Sequence, residues 1–151
     1  MTNRIIRSIG LPLAVTALLG LGLSGCSGSS TTGTTQRSVP ATAPASGAHL
    51  APAEFAAALT LPNTTVLDVR TPEEFAAGHL TGAVNVNLEG DFAGAIAAYT
   101  KDKPYAIYCR SGNRSGQALS IMAEQGFTQA YDLAGGISAW QTDGGEVVTG
   151  P

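Results

Sequence analysis

Residues 105–125 constrain the fold more than any other stretch of the chain. Tyr105-Ala106-Ile107-Tyr108 is a short apolar run that reads as a buried strand. Cys109-Arg110-Ser111-Gly112-Asn113-Arg114-Ser115 follows as a polar, glycine-containing loop, and Gln117 to Gln125 reads as a helix. A buried strand feeding a helix through a short loop belongs to a layered α/β architecture. It places a cysteine at a strand's C-terminal end and at the mouth of a helix. Backbone N–H groups converge there and the helix dipole favours an anion. A thiolate is an anion, so the setting favours an ionised, nucleophilic cysteine. Arg110 and Arg114 push the same way and could also hold an anionic substrate.

The neighbouring sequence repeats the alternation. Pro52 to Leu59 reads as a helix, with proline at the first turn and Phe55 and Leu59 on one face. Val66 to Val69 reads as a strand. Thr71-Pro72-Glu73-Glu74 is a capping box that starts a short helix ending at Gly78. Ala83 to Val86 reads as a strand, Phe92 to Tyr99 as a helix, and Gln129 to Leu133 as a strand. Gly135-Gly136 reads as a tight turn before a short helix over Ile137 to Gln141. The pattern predicts an α/β domain over residues 49–151, with a mostly parallel sheet covered on both faces. Ligands bind beyond the C-terminal strand ends of such sheets. Cys109 and Arg70 both lie at such ends, and Asp68 is placed to pair with Arg70.

Residues 1–48 have a different character. Arg4 and Arg7 precede an uncharged Leu-, Ala- and Gly-rich run from Ile9 to Leu23. This reads as the hydrophobic region of an export signal, short for a transmembrane span. Leu23-Ser24-Gly25-Cys26 resembles a bacterial lipobox. The resemblance implies removal of residues 1–25 and acylation of Cys26, palmitate being an expected chain, hence a lipid anchor on the extracytoplasmic face of a bacterial membrane. The alternatives are an ordinary secretory signal or an uncleaved span. Residues 26–48 are rich in Ser, Thr, Gly, Pro and Ala and lack the apolar side chains for a core. They are expected to form a disordered tether of about 25 Å r.m.s. reach.

Charge narrows the function classes. All eleven acidic residues follow residue 50, but only five of the eight basic ones do, so the C-terminal part carries a net charge of −6. An acidic domain is a poor nucleic-acid binder. Two of those five basic residues sit in the cysteine loop. His49 and His79 are too far apart in the chain to suggest a metal site with Cys109, and none is expected. His49 is expected to be solvated. His79 is expected to bond the turn that follows it, and Trp140 to pack in the core or at the sheet edge.

The chain resembles the single-domain rhodaneses, a family of sulfurtransferases. The resemblance rests on Asp68-Val69-Arg70, Glu74, Gly78-His79-Leu80-Thr81-Gly82-Ala83, Asn85, the Cys109 loop with Arg114-Ser115, Gly126-Phe127, and Leu133 to Trp140. It implies a rhodanese-like fold with a central five-stranded sheet. It implies that Cys109 takes the sulfane sulfur from a small anionic donor such as thiosulfate. No cofactor is needed, because the intermediate is a Cys109 persulfide held by loop N–H groups. A thiol, cyanide or thioredoxin-like acceptor then removes the sulfur. Arg114 and Arg110 become the expected anion-binding groups, and Asp68, Arg70, Glu74 and His79 supporting residues. The resemblance also bears on loop length: six residues from Cys109 to Arg114 match the sulfurtransferases, whereas related phosphatases and arsenate reductases have seven. A persulfide carrier and a non-catalytic interaction module are the alternatives. With Cys26 acylated, Cys109 is the sole thiol, which leaves no internal resolving partner.

Overall fold

Parallel pairing is what alternating apolar runs and helix signals call for. It runs through the whole sheet in the computed structural model of the chain, which describes residues 42–150. In chain order the elements are β1 (His49–Leu50), α1 (Pro52–Leu59), β2 (Thr65–Asp68), α2 (Pro72–Ala77), β3 (Val84–Asn85), α3 (Phe92–Ile96), β4 (Tyr105–Tyr108), α4 (Asn113–Glu124), β5 (Ala130–Leu133) and α5 (Gly136–Thr142). The strands form one five-stranded sheet in the order β1-β5-β4-β2-β3. Each neighbouring pair is parallel, so the expected mostly parallel sheet is wholly so. The expected signal segment 1–25, Cys26 and the tether as far as residue 41 lie outside the described residues.

Strand order explains why helices cover both faces. From β1 to β2 and on to β3 the chain steps one way across the sheet. From β3 to β4 and on to β5 it steps back. Parallel crossovers are right-handed, so opposite steps put their helices on opposite faces. Side chains follow the strand period of two. Leu67, Val69, Tyr105, Ile107 and Ala130 form one buried cluster with Phe92 and Ile96 of α3 and Ala118, Leu119 and Met122 of α4. Ala106, Tyr108, Tyr131 and Leu133 form the other with Phe55 and Ala58 of α1 and Ile137 of α5, and the half-buried Val66 and Trp140 pack against it. β4 and β5 are buried along their whole length, which is why β4 reads as an unbroken apolar run and β5 as an apolar run interrupted only by Asp132. The reversal of direction falls between β2 and β4. An open α/β sheet has a crevice at such a point, beyond the strand ends. Cys109 leaves β4 there, and Arg70 leaves β2.

Several boundaries differ from expectation, each for a local reason. The tether was expected to reach residue 48, but Gly47 N–H donates to Ala130 O at 2.6 Å and Asp132 N–H to Ala48 O at 2.9 Å. These bonds tie the end of that segment to the sheet. They introduce β1, a two-residue edge strand too short to show a pattern. The helix from Phe92 ends at Ile96 instead of Tyr99, because Ala97 and Tyr99 donate back only three residues, to Gly94 and Ile96. Tyr99 still stacks on Tyr105, with ring centroids 5.9 Å apart. α4 begins at Asn113, so Arg114 and Ser115 occupy its first turn rather than the loop. The helix at Pro72 is as expected: Thr71 is its N-cap, Glu74 completes the box, and Gly78 is the C-cap.

Ile107 lies at the centre of the sheet with no exposed surface. Ile107→Ala should therefore lower unfolding free energy by about 2–5 kcal/mol. Urea denaturation followed by far-UV circular dichroism would measure the loss.

Candidate active site

Cys109 is 1% exposed at the end of β4 and is a free thiol. Gly112 N–H donates to its sulfur at 3.1 Å, and the Sγ to Ser115 Oγ distance is 3.7 Å. Gly112 is able to turn its N–H inward because its φ is +95°, a value that suits glycine. It is the N-cap of α4, so the sulfur faces the end of the helix where N–H groups lack intrahelical acceptors.

The loop is held from below by α5. Ile137 N–H donates to Cys109 O at 2.9 Å, and Ser138 N–H to Arg110 O at 3.2 Å. Gly136 makes this approach possible. A Cβ there would stand 2.4 Å from Cys109 O and 2.6 Å from the Arg110 carbonyl. The Gly135-Gly136 pair is therefore more than the tight turn read from sequence. It seats the N-terminus of one helix against the loop that begins another.

The charged residues divide into two groups. Asp68 and Arg70 are both buried and paired, as expected. Arg70 Nε lies 2.9 and 3.0 Å from the two Asp68 carboxylate oxygens, and Arg70 Nη2 donates to Gly78 O at 2.6 Å. The guanidinium also lies over the Tyr108 ring, 5.6 Å from its centroid. Burial, and next the Asp68 charge, raise the pKa of Tyr108 far above the ordinary phenol value, so its hydroxyl is neutral. That hydroxyl accepts Leu80 N–H at 3.1 Å. Asn85 Nδ2 donates to Asp68 O and Arg70 O at 3.0 and 2.8 Å, which ties β3 to the same corner. Arg70 thus uses Nε and Nη2 to hold β2, the α2 terminus and β4 together, while it also lines the cleft beside them.

Arg114 meets Glu74 in a bidentate pair, with N–O distances of 2.7 and 2.9 Å. Glu89 lies 3.8 Å away. Glu74 is expected in one ion-pair network with Asp68 and Arg70; its direct partner is Arg114, and Arg70 reaches it through charge alone. Arg114 is expected to bind an incoming anion, whereas in the structure a carboxylate already occupies that guanidinium. Arg110 and Ser111 are exposed at the loop tip. The Asn113 side chain accepts from Gln117 Nε2 at 2.7 Å along the helix surface. A cleft lined by Arg70, Glu74, Gly78, Ile137 and Gln141 runs beside this ion pair.

His79 is buried, but its partner is not the following turn. Its Nδ1 lies 2.9 Å from Phe75 O, one helical turn back, and its ring stacks on Phe75 with centroids 3.7 Å apart. Its backbone exchanges two 2.8 Å hydrogen bonds with Val148. These contacts fix the C-terminal segment rather than the loop. Trp140 packs on Phe55 and donates to Glu146 O at 3.0 Å, a structural position as expected.

Sequence reasoning missed Asp132. It is fully buried on β5 and accepts from Ser115 Oγ at 2.6 Å. Its other oxygen lies 2.6 Å from Nδ1 of His49, which is bonded rather than simply solvated. The signal available was a carboxylate inside a fully apolar strand, a position that demands a partner. Among the described residues no group of three or more His, Cys, Asp and Glu is placed to hold a metal.

Arg114 is the first cause of a lowered Glu74 pKa, and Glu74 the first cause of a raised Arg114 pKa. A carboxylate lowered in this way stabilises the fold fully above the ordinary value of about 4.3, and the contribution is lost as pH falls through the lowered value. Both side chains are about three-quarters buried. Glu74→Gln should cost about 1 kcal/mol at pH 7 and nothing near pH 2. Melting temperatures of wild type and variant across that range should therefore converge in acid.

A family model described as the rhodanese-like domain matches residues 51–143. A thiosulfate sulfurtransferase, GlpE of Pseudomonas fluorescens, is 38% identical over 91 residues, covering 60% of this chain and 83% of the relative. A tRNA uridine(34) hydroxylase of Onion yellows phytoplasma is 36% identical over 99 residues, but these cover only 32% of that longer protein. Among solved structures, a rhodanese-like domain from Anabaena sp aligns with a TM-score of 0.61 at 25% identity, covering 67% of this chain and 78% of that one.

Proposed function

The chain belongs to the rhodanese-like domain family, and from that premise we propose that it is a sulfurtransferase working through a Cys109 persulfide. One observation carries the reading: Cys109 Sγ receives the Gly112 N–H at 3.1 Å, at the N-terminus of α4. That donor stabilises negative charge on sulfur both before and after sulfur is taken up. The naming of relatives as thiosulfate sulfurtransferases points to the donor class.

In the first step the Cys109 thiolate attacks the outer sulfur of thiosulfate. The new Cys109 S–S bond forms as the bond to the sulfonate sulfur breaks, and sulfite leaves with that electron pair. In the second step a thiolate or cyanide attacks the terminal persulfide sulfur, and Cys109 departs as thiolate. No proton, oxidant or cofactor is required in either step. Arg110 and the loop N–H groups would meet the sulfonate, while Arg114 acts mainly through Glu74 to hold the first turn of α4. A two-step covalent route predicts double-displacement kinetics. Incubating the full chain with thiosulfate should add one sulfur atom to its intact mass, and cyanide or a thiol should remove it. Cys109→Ser should abolish both changes. A wild-type protein that takes up no sulfur sinks the enzyme reading.

The Glu74–Arg114 pair favours one second reading, delivery of persulfide sulfur from a partner. A guanidinium already held by a carboxylate offers thiosulfate less attraction than a free one. Weak thiosulfate:cyanide turnover beside fast uptake from a protein persulfide would mark a carrier with a thiol or thioredoxin-like acceptor.

The lipobox-like Leu23-Ser24-Gly25-Cys26 supports a lipid-anchored protein on the extracytoplasmic face of a bacterial membrane, tethered through the segment that precedes Gly47. Labelled palmitate should be incorporated by the full chain and not by Cys26→Ser. Labelling that persists in the variant would remove the anchor.

A further inference from the structure

The sulfur of Cys109 is one end of a hydrogen-bonded chain whose other end is on the surface. Cys109 Sγ lies 3.7 Å from Ser115 Oγ, Ser115 Oγ donates to Asp132 Oδ2 at 2.6 Å, and Asp132 Oδ1 lies 2.6 Å from His49 Nδ1. Cys109, Ser115 and Asp132 are all buried, whereas the His49 side chain is 63% exposed. The sheet itself makes the last contact. His49 on β1 is in register with Asp132 on β5. We propose that His49 is a positioning residue for the Cys109 chemistry: its imidazolium compensates the buried Asp132 carboxylate and so allows a second negative charge, the thiolate, to form one hydroxyl away.

The argument is electrostatic. A buried carboxylate is costly unless it is paired. Among the described residues His49 is the only basic side chain within ion-pair distance of Asp132. A carboxylate this close to a sulfur disfavours the thiolate, as any like charge does. Asp132 accepts the Ser115 O–H and so fixes that oxygen, which accepts from the Cys109 thiol at 3.7 Å, beside the sulfur. Its charge is the drawback, and the imidazolium offsets it. The other groups around the ring do not supply that compensation. From β5 the only further titratable side chain is Tyr131, buried and raised by burial, hence neutral. From α1 the titratable residue is Glu54, an acid whose carboxylate accepts Ala51 N–H at 3.0 Å. α4 passes the ring at Gly116, where a Cβ would stand 3.9 Å from His49 Cε1. Of the charged residues on α4, Arg114 is held by Glu74 and Glu124 sits at the far end of the helix.

The inference rests on Cys109 being the nucleophile, but its test does not need sulfur transfer. The rate of iodoacetamide alkylation at the Cys109 peptide, followed by mass spectrometry from pH 5 to 10 on the full chain, reads thiolate formation directly. His49→Ala and His49→Gln should both move the midpoint of that profile up by about one pH unit, slowing alkylation up to about tenfold below it. Glutamine keeps a donor for Asp132 but not the charge, so equal shifts identify the charge as the cause. Adding Asp132→Asn to His49→Ala should return the midpoint toward wild type. A wild-type midpoint in His49→Gln, or no recovery in a folded double variant, overturns the proposal. A wild-type Cys109 that is never alkylated overturns the nucleophile itself, an outcome separate from either.

Discussion

The site depends on one close approach, the backbone of Gly136 against the carbonyls of Cys109 and Arg110. A side chain at Gly136 would meet those atoms at 2.4 to 2.6 Å, so the loop and the start of α5 are able to bond only because there is none. The two resulting hydrogen bonds use the Ile137 and Ser138 N–H groups, which α5 cannot satisfy internally. They also use two carbonyls that the Cys109 loop would otherwise leave without partners. Both segments therefore gain from a contact that neither could make alone. The fixed Cys109 carbonyl holds the backbone from which the side chain leaves β4, and the Gly112 N–H closes over the sulfur. Gly112 in turn runs close to Gly135, where an added Cβ would lie 3.3 Å from the Gly135 nitrogen. Three glycines thus set how tightly the loop is wound.

Around this clamp, ion pairs hold the elements that meet at the strand reversal. Asp68 with Arg70 locks β2 to the end of α2, and Glu74 with Arg114 locks the start of α2 to the start of α4. A short helix of six residues is thereby pinned at both ends by pairs of opposite sense. Glu74 also closes the capping box of its own helix, through the Thr71 N–H at 3.3 Å. The same carboxylate serves local helix formation and long-range loop placement. This economy explains why Arg114 is held near the sulfur yet turned toward protein rather than solvent.

The sheet was legible from sequence because its central strands are short apolar runs with turn signals at both ends. The α2 capping box was legible because its bonds are local. The family motifs marked the cysteine loop. What escaped depended on pairing between segments far apart in the chain. β1 is two residues long and exists only because β5 is beside it, so His49 read as a solvated residue at the edge of the domain. Asp132 read as one polar residue in an apolar strand, because its partners come from β1 and α4. Glu74 is expected beside Asp68 and Arg70 as a supporting residue, while Arg114, forty residues away, is its direct partner in space. His79 was expected to bond forward and bonds backward, because stacking on Phe75 aligns its ring with the last turn of α2.

The allocation of charge bears on what kind of anion the loop suits. A cradle whose principal arginine faces inward presents mainly backbone N–H groups and the α4 dipole to its contents. Such donors suit a charge localised on one sulfur at a fixed distance, which is the form of both a thiolate and a persulfide. A tetrahedral oxyanion spreads its charge over several oxygens and is met best by a planar guanidinium fork. The Glu74 pairing therefore withdraws that fork from any incoming oxyanion, the sulfonate end of thiosulfate included, and leaves the Gly112 N–H as the donor to the sulfur. Arg110, exposed at the tip, stands where an approaching anion meets positive charge first, while the Gly112 N–H faces the Cys109 sulfur within.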